Sequence, residues 1–254
     1  MLLVFDIGNT NIVLGVFEGS RLTHSWRVST RREQTSHEYA VLCRNLFSLS
    51  QVPVERMEAA VISSVVPPLN DAFEHLAREF FMVRAHFVDP ERQDLMPIRY
   101  HRPADVGADR IVNAIAAREL HGRPTIIVDF GTATTFDAVS DQGEYLGGTI
   151  APGIGISAEA LFQRAARLPR IELRKPEKAI GRSTVESMQA GIFYGYVGLV
   201  EGILRMMKAE MGACPVIATG GYARLISSGF GGFDRIEEDL TMHGLRIFYD
   251  RVLR

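Results

Sequence analysis

Cysteine is nearly missing from this chain. Cys43 and Cys214 stand far apart, and no two of the seven histidines have the spacing of metal ligands. Neither a disulfide framework nor a zinc site is indicated, and both thiols read as core fillers. A long apolar run is missing too: the uncharged stretch from Gln189 to Val200 ends at Glu201, well short of the ~18 apolar residues a membrane span requires. The apolar start, Met1 to Phe5, meets Asp6 at once, with no basic leader and no small-residue cleavage site, so a signal peptide is not read and the cytoplasm is the expected location. Neither charge sign dominates. The 28 Lys plus Arg face 30 Asp plus Glu, a formal charge of −2 and a pI near 6.4, and nothing in that balance calls for nucleic acid or an anionic membrane. Finally, no Gly-Lys dipeptide occurs, which excludes a Walker A loop.

What is present is ordinary globular composition, 46% hydrophobic and 23% charged over 254 residues, enough for one large or two modest domains. Leu2 to Phe5, the polar turn Asp6-Ile7-Gly8-Asn9-Thr10-Asn11 and Ile12 to Phe17 read as strand, turn and strand, and Glu18-Gly19-Ser20 marks the next hairpin turn. Apolar periodicity predicts helices over His37 to Leu49, Asn70 to Phe80 and Asp109 to Leu120, the last closed by Gly122. Ala59 to Val65 reads as a buried strand stopped by Pro67-Pro68, and Val88 to Val106 as a loop.

Thr125 to Val128 then enters Asp129-Phe130-Gly131-Thr132-Ala133-Thr134-Thr135, Phe136 to Val139 leads out, and Asp141-Gln142-Gly143-Glu144 turns the chain. This repeats the opening of the chain at an offset close to half its length, so two similar α/β halves are expected, 1–115 and 116–254. The longest helix should begin at Ser183, where Ser183 and Glu186 have capping-box spacing, and run to about Glu210. Gly191, Gly195, Gly198 and Gly202 fall on one face of it, a load that needs a close neighbour: its own sheet or other half, or a two-fold partner.

The Asp-Gly turns carry the chemistry. Gly8 lets backbone N–H groups approach a phosphate, Thr10 and Asn11 add neutral donors, and Asp6 is placed to hold a metal ion or its waters against that phosphate. The same residues also suit a plain hairpin connection. Asp129 and Thr132 supply a second such turn, as a nucleotide triphosphate gripped from two sides would need. Thr219-Gly220-Gly221, after the strand Val216 to Ala218, reads either as a rest for adenosine or as an ordinary strand-to-helix turn into the helix from Tyr222. Gly153-Ile154-Gly155-Ile156-Ser157-Ala158 fits G-x-G-x-x-A, but Pro152 intrudes and no βαβ unit with a following acidic residue surrounds it; Ser157 also lacks a G-x-S-x-G setting. In Gly107-Ala108-Asp109-Arg110, Asp109 suits a helix start, or equally the carboxylate that accepts a substrate hydroxyl's proton beside the cation of Arg110.

Taken together, Asp6 to Asn11, Gly107 to Arg110, Val128 to Thr134 and Thr219-Gly220-Gly221 resemble the type III pantothenate kinases, over the whole chain and in order. The resemblance implies two ribonuclease H-like halves of the actin-like ATPase superfamily, an α/β fold with the active site in the cleft between them. It implies ATP-dependent phosphorylation of pantothenate to 4′-phosphopantothenate, the first step of coenzyme A synthesis. By position, the family's ATP loop falls on Asp6, Ile7, Gly8, Asn9, Thr10, Asn11, Ile12 and Val13, with a second phosphate contact at Thr132. Its catalytic base falls on Asp109, and its substrate contacts on Tyr100, Gly107, Ala108, Asp109, Arg110 and Thr184. Asp129 corresponds to the ligand of a monovalent cation, potassium or ammonium, required in addition to magnesium. A homodimer is implied as well. Three other readings stay open: an accessory transcription regulator, an ATP-driven conformational switch, and a kinase of another small acceptor.

Overall fold

A computed structural model of the chain describes residues 1–165 and 167–253. The chain divides into two compact units, Met1–Ala116 joined by the C-terminal segment from Leu240, and Ala117–Asp239. Among the described residues no helix is long and apolar enough to cross a membrane.

The first unit holds a five-stranded sheet in the order β3-β2-β1-β4-β5, from β1 (Leu2–Ile7), β2 (Asn11–Glu18), β3 (Arg21–Ser29), β4 (Ala59–Ser64) and β5 (Ala85–Phe87). β1 runs antiparallel to β2 and parallel to β4. Alternation along the central strand builds both layers. Leu3, Phe5 and Ile7 join one core with Tyr39, Phe47, Phe73 and Leu76 of α1 (Ser36–Leu49) and α2 (Asn70–Phe80). Leu2 and Val4 join another with Ala108 and Val112 of α3 (Ala108–His121) and with Met242, Leu245 and Phe248 of α7 (Leu240–Phe248). Asp6 therefore shares the face that α3 covers.

The second unit repeats the plan. β6 (Thr125–Phe130), β7 (Ala133–Val139), β8 (Tyr145–Pro152), β9 (Val216–Thr219) and β10 (Arg235–Ile236) form a sheet ordered β10-β9-β6-β7-β8, the first sheet's order strand for strand. Ile126, Val128 and Phe130 pack against Ile154 of α4 (Ile154–Arg164), Tyr196, Val200 and Leu204 of α5 (Thr184–Met211), and Ala223 and Ile226 of α6 (Ala223–Ser227). Even the irregularities recur: β2 and β3 slip register between Val16 and Phe17, β7 and β8 between Ala138 and Val139. The two turns differ by one residue, since Ile7 pairs with Ile12 while Phe130 pairs with Thr134.

Local signals set most boundaries. Thr35 caps α1 in a full capping box with Glu38. At α5 the Glu186 N–H donates to Ser183 Oγ (3.2 Å), but the Glu186 carboxylate accepts from the Arg182 N–H (2.7 Å), one residue earlier than the box pattern predicts. Two features depart from the expected organisation. β5 and β10 are strands that the sequence pattern did not mark, and the last helix belongs with the first unit, not with 116–239. The reason is close packing of α7 on α3: a Cβ at Gly244 would lie 2.1 Å from the Val112 carbonyl oxygen, and Thr241 Oγ1 donates to Asn113 Oδ1 at 2.8 Å.

That packing gives a measurable consequence. Gly244→Ala forces a methyl group into backbone and should lower Tm by roughly 4–10 °C, whereas Gly231→Ala, which meets nothing within 4 Å, should leave Tm unchanged in the same thermal melt.

Candidate active site

In the first unit the site begins at the end of β1. Asp6 lies on the strand, not in the turn, paired with Val13 on one side and Ser63 on the other. Beyond it the chain reverses tightly: the Gly8 N–H donates to the Asn11 carbonyl at 3.0 Å, and a Cβ on Gly8 would sit 3.0 Å from that oxygen. Thr30, at the end of β3, clamps the turn. Its N–H donates to the Thr10 carbonyl (3.0 Å) and its hydroxyl to the Gly8 carbonyl (2.6 Å). The carbonyls of Gly8, Thr10 and Asn11 are thus engaged within the unit, which lowers the repulsion an anion would meet at the exposed tip, Asn9 and Thr10. Arg32 reaches the same tip, donating from Nη2 to Asn9 Oδ1 at 2.8 Å.

Asp109 is joined to that turn by a short chain of contacts. The Val65 N–H donates to the Ile7 carbonyl at 3.1 Å, and Val65 Cγ1 lies 3.4 Å from where a Gly107 Cβ would be. The start of α3 therefore stands at the C-terminal end of β1 and β4, on the face that Asp6 shares. Asp109 folds its carboxylate back over Gly107: Oδ1 accepts from the Arg110 N–H at 2.8 Å and would be 2.4 Å from a Cβ at residue 107. Only glycine leaves that space. Loss of hydration raises the Asp109 pKa above the ordinary 3.8, outweighing the backbone hydrogen bond and the charge of the buried Arg110, which both favour the carboxylate. Tyr100 is half-buried in the loop before α3. That loop is built rather than slack: buried Gln93 donates to the Met96 carbonyl (2.6 Å) and accepts from its N–H (2.9 Å).

In the second unit Asp129 occupies the position of Asp6, paired with Thr135 and with Thr219. Two glycines press on its turn. Gly220, at φ +89°, leaves no room for a side chain, because a Cβ would lie 2.4 Å from Asp129 Oδ1 and 2.6 Å from the Phe130 nitrogen. Gly153 would place one 2.1 Å from the Thr132 carbonyl oxygen. These contacts explain both glycine motifs structurally. The G-x-G-x-x-A segment opens α4 directly against the Thr132 turn, and Gly220 supports Asp129. Thr184 stands exposed in the first turn of α5.

As for cations, no group of three or more His, Cys, Asp or Glu side chains is placed to hold a metal among the described residues. Single carboxylates next to backbone suit hard, oxygen-ligated ions: Mg²⁺, which takes one or two carboxylates together with substrate phosphates, and larger monovalent ions. Sequence reasoning missed Thr30 and Arg32. Their approach to the turn depends on the register between β2 and β3, which no local pattern announces.

Comparison with known proteins points to one family. A family model described as type III pantothenate kinase matches residues 2–206. The type III pantothenate kinase of Myxococcus xanthus is 54% identical over 252 residues, 99% of this chain and 98% of that protein. That of Geobacter sulfurreducens is also 54% identical, over 99% of each chain. Among solved structures, the inorganic polyphosphate/ATP-glucomannokinase of an Arthrobacter species superposes with a TM-score of 0.52 at 15% identity, covering 97% of this chain and 96% of that one, a likeness of fold.

The buried carboxylate has a stability signature. The fold binds the Asp109 proton more tightly than the unfolded chain does, so wild-type stability falls as pH rises from 3.8 through the raised pKa and is level above it. Asp109→Asn removes that loss. Its Tm should exceed wild type near neutral pH, with the advantage vanishing on acidification through the same window; melts across pH that run parallel would contradict the desolvation of Asp109.

Proposed function

The chain belongs to the type III pantothenate kinase family, a kinase that phosphorylates pantothenate with ATP in the first step of coenzyme A biosynthesis, and from that premise we propose how its residues divide the work. Asp109 is the general base. The tight Asp6–Val13 turn takes the ATP phosphates, with Thr132 a second phosphate contact. Tyr100, Gly107, Ala108, Arg110 and Thr184 contact pantothenate. The observation that carries the reading is the setting of Asp109: a carboxylate folded over a glycine, beside a buried arginine, on the face and at the strand end that Asp6 shares.

Phosphoryl transfer needs little covalent help from a protein and much positioning and charge. Asp109 orients the primary hydroxyl of pantothenate and takes its proton as that oxygen bonds to the γ-phosphorus and the bond to ADP breaks. Burial raises its pKa, which makes its carboxylate a stronger base than an ordinary aspartate's. Arg110 pairs with the anionic substrate. Asp6 is assigned to Mg²⁺ or its waters and Asp129 to a monovalent cation, K⁺ or NH₄⁺; these ions, when bound, offset the negative charge of the phosphates. We assign the enzyme to the cytoplasm, working as a homodimer. The support for the dimer is the glycine face of α5: Cβ atoms at Gly191, Gly195, Gly198 and Gly202 would meet nothing within 4 Å among the described residues, so the stripe has no neighbour there to explain it.

ADP release is the measurement for these roles, run with and without pantothenate, in Na⁺ and again in K⁺ or NH₄⁺. Wild type should turn over only with pantothenate and the larger cation, and Asp109→Asn should lose about 10²–10⁴-fold in kcat with little change in substrate binding. Asp129→Ala should lose activity or demand more cation; unchanged cation dependence there removes its assignment. ATP consumption indifferent to pantothenate would favour another acceptor or a switch ATPase. Sedimentation velocity should give twice the 28.2 kDa chain mass, and a monomer at working concentration removes the dimer.

A further inference from the structure

The first unit has no lysine. The chain's lysines are Lys175, Lys178 and Lys208, all in the second unit. A turn that grips phosphates with backbone and neutral side chains still faces several negative charges, and on this unit a permanently charged side chain must be arginine. Arg110 is buried at the start of α3 and is assigned to pantothenate. Arg32 is the arginine that the structure brings to the turn itself, through its 2.8 Å bond to Asn9 Oδ1.

Its surroundings fix it without neutralising it. Two residues before Arg32, Thr30 is bonded twice to the turn, at the Thr10 and Gly8 carbonyls. One residue before it, the Arg31 backbone is held on both sides by the buried Tyr39 hydroxyl, which accepts from the Arg31 N–H (3.2 Å) and donates to the Arg31 carbonyl (2.9 Å). The Gln34 N–H closes the loop on the Arg31 carbonyl at 3.2 Å. Glu38, the acid of the adjoining helix cap, is spent: its carboxylate accepts from the Thr35 N–H (2.8 Å) and hydroxyl (3.0 Å), and those bonds hold its pKa below the ordinary carboxylate value. Among the described residues Arg32 forms no ion pair; its guanidinium is exposed and bonded to a neutral amide oxygen. A bond of that kind at the surface contributes little stability. It does orient a planar fork of five donors, of which one is used, at the tip where an anion is expected.

We propose that Arg32 is a further ATP-binding residue, its guanidinium seated on Asn9 and paired with the outer phosphates of the nucleotide held by the Gly8 turn. The inference rests on the assignment of Asp6–Val13 to the ATP phosphates. It makes recognition on this side depend on phosphate rather than on adenosine, because a guanidinium fork matches phosphate oxygens and has no acceptor to offer a base.

Steady-state kinetics separates this role from a structural one, with KM for ATP, KM for pantothenate and the competitive Ki of adenosine measured for each variant. Arg32→Gln should raise KM for ATP about ten- to a hundredfold, leaving KM for pantothenate, Ki for adenosine and Tm as in wild type. Arg32→Lys should recover part of the loss, a point charge replacing a fork. Arg31→Gln, which removes the same charge one residue away, should match wild type. An unchanged KM for ATP in Arg32→Gln overturns the proposal, as does a rise shared by Arg31→Gln or accompanied by weaker adenosine binding and a lower Tm. Gly8→Ala, which crowds the turn at the Asn11 oxygen, reports separately on the loop. If it weakens ATP while Arg32→Gln does not, the loop assignment stands and Arg32 fails; if it leaves ATP untouched, the loop assignment itself fails.

Discussion

Everything in the site follows from the two-faced nature of a central β-strand. β1 is buried on both sides, and its apolar residues divide strictly between two cores. A carboxylate there is tolerable only near the strand's end, where burial gives way to the turn, and Asp6 occupies that position. Parity then decides the rest. Asp6 falls on the face of Leu2 and Val4, the face covered by α3, so the helix that completes this core also delivers Asp109 to the same end. A register slip of one residue would send Asp6 into the core of Phe5 and Phe73.

Glycine plays a different part in each turn. Gly8 allows a tight reversal on the backbone of its own hairpin, whereas Gly131 opens a turn one residue shorter, pressed from outside by Gly153 and Gly220. The first turn leaves its tip exposed, as a loop that meets a mobile ligand requires. The second exposes Gly131 and Thr132 as well, but Gly153 and Gly220 close in on its backbone and on Asp129. Equivalent sequence positions thus have different surroundings because their neighbours differ.

Much of this was legible in the residues. The Asp-x-Gly repeat foretold two similar halves with a mixed sheet in each, and the periodic segments foretold α2 from Asn70 to Phe80. The family resemblance is borne out by the 54% identical relatives. What could not be read depends on long-range packing. Nothing local in Leu240 to Phe248 says that this helix rejoins the first unit, since the information lies in Gly244 fitting against Val112. Thr30 and Arg32 look like ordinary loop residues until the β2–β3 ladder brings them to the turn. Gly220 reads as a turn glycine, and its actual constraint, contact with Asp129, joins residues far apart in the chain.

The repeat also bears on why only one of its two copies carries a buried acid. α3 and α7 hold the same topological place, each the first long helix after the last strand of its sheet. α3 opens with Ala108-Asp109-Arg110, α7 with Leu240-Thr241-Met242. Where α3 carries the acid, α7 carries Thr241, whose hydroxyl donates to Asn113 one turn along α3, and Gly244, which lets the two backbones approach. A second ionised group beside this core would add another desolvation penalty. The second copy of the helix has instead become the support of the first. Asp109, a residue that burial works against, is held in place by an apolar core that both ends of the chain build.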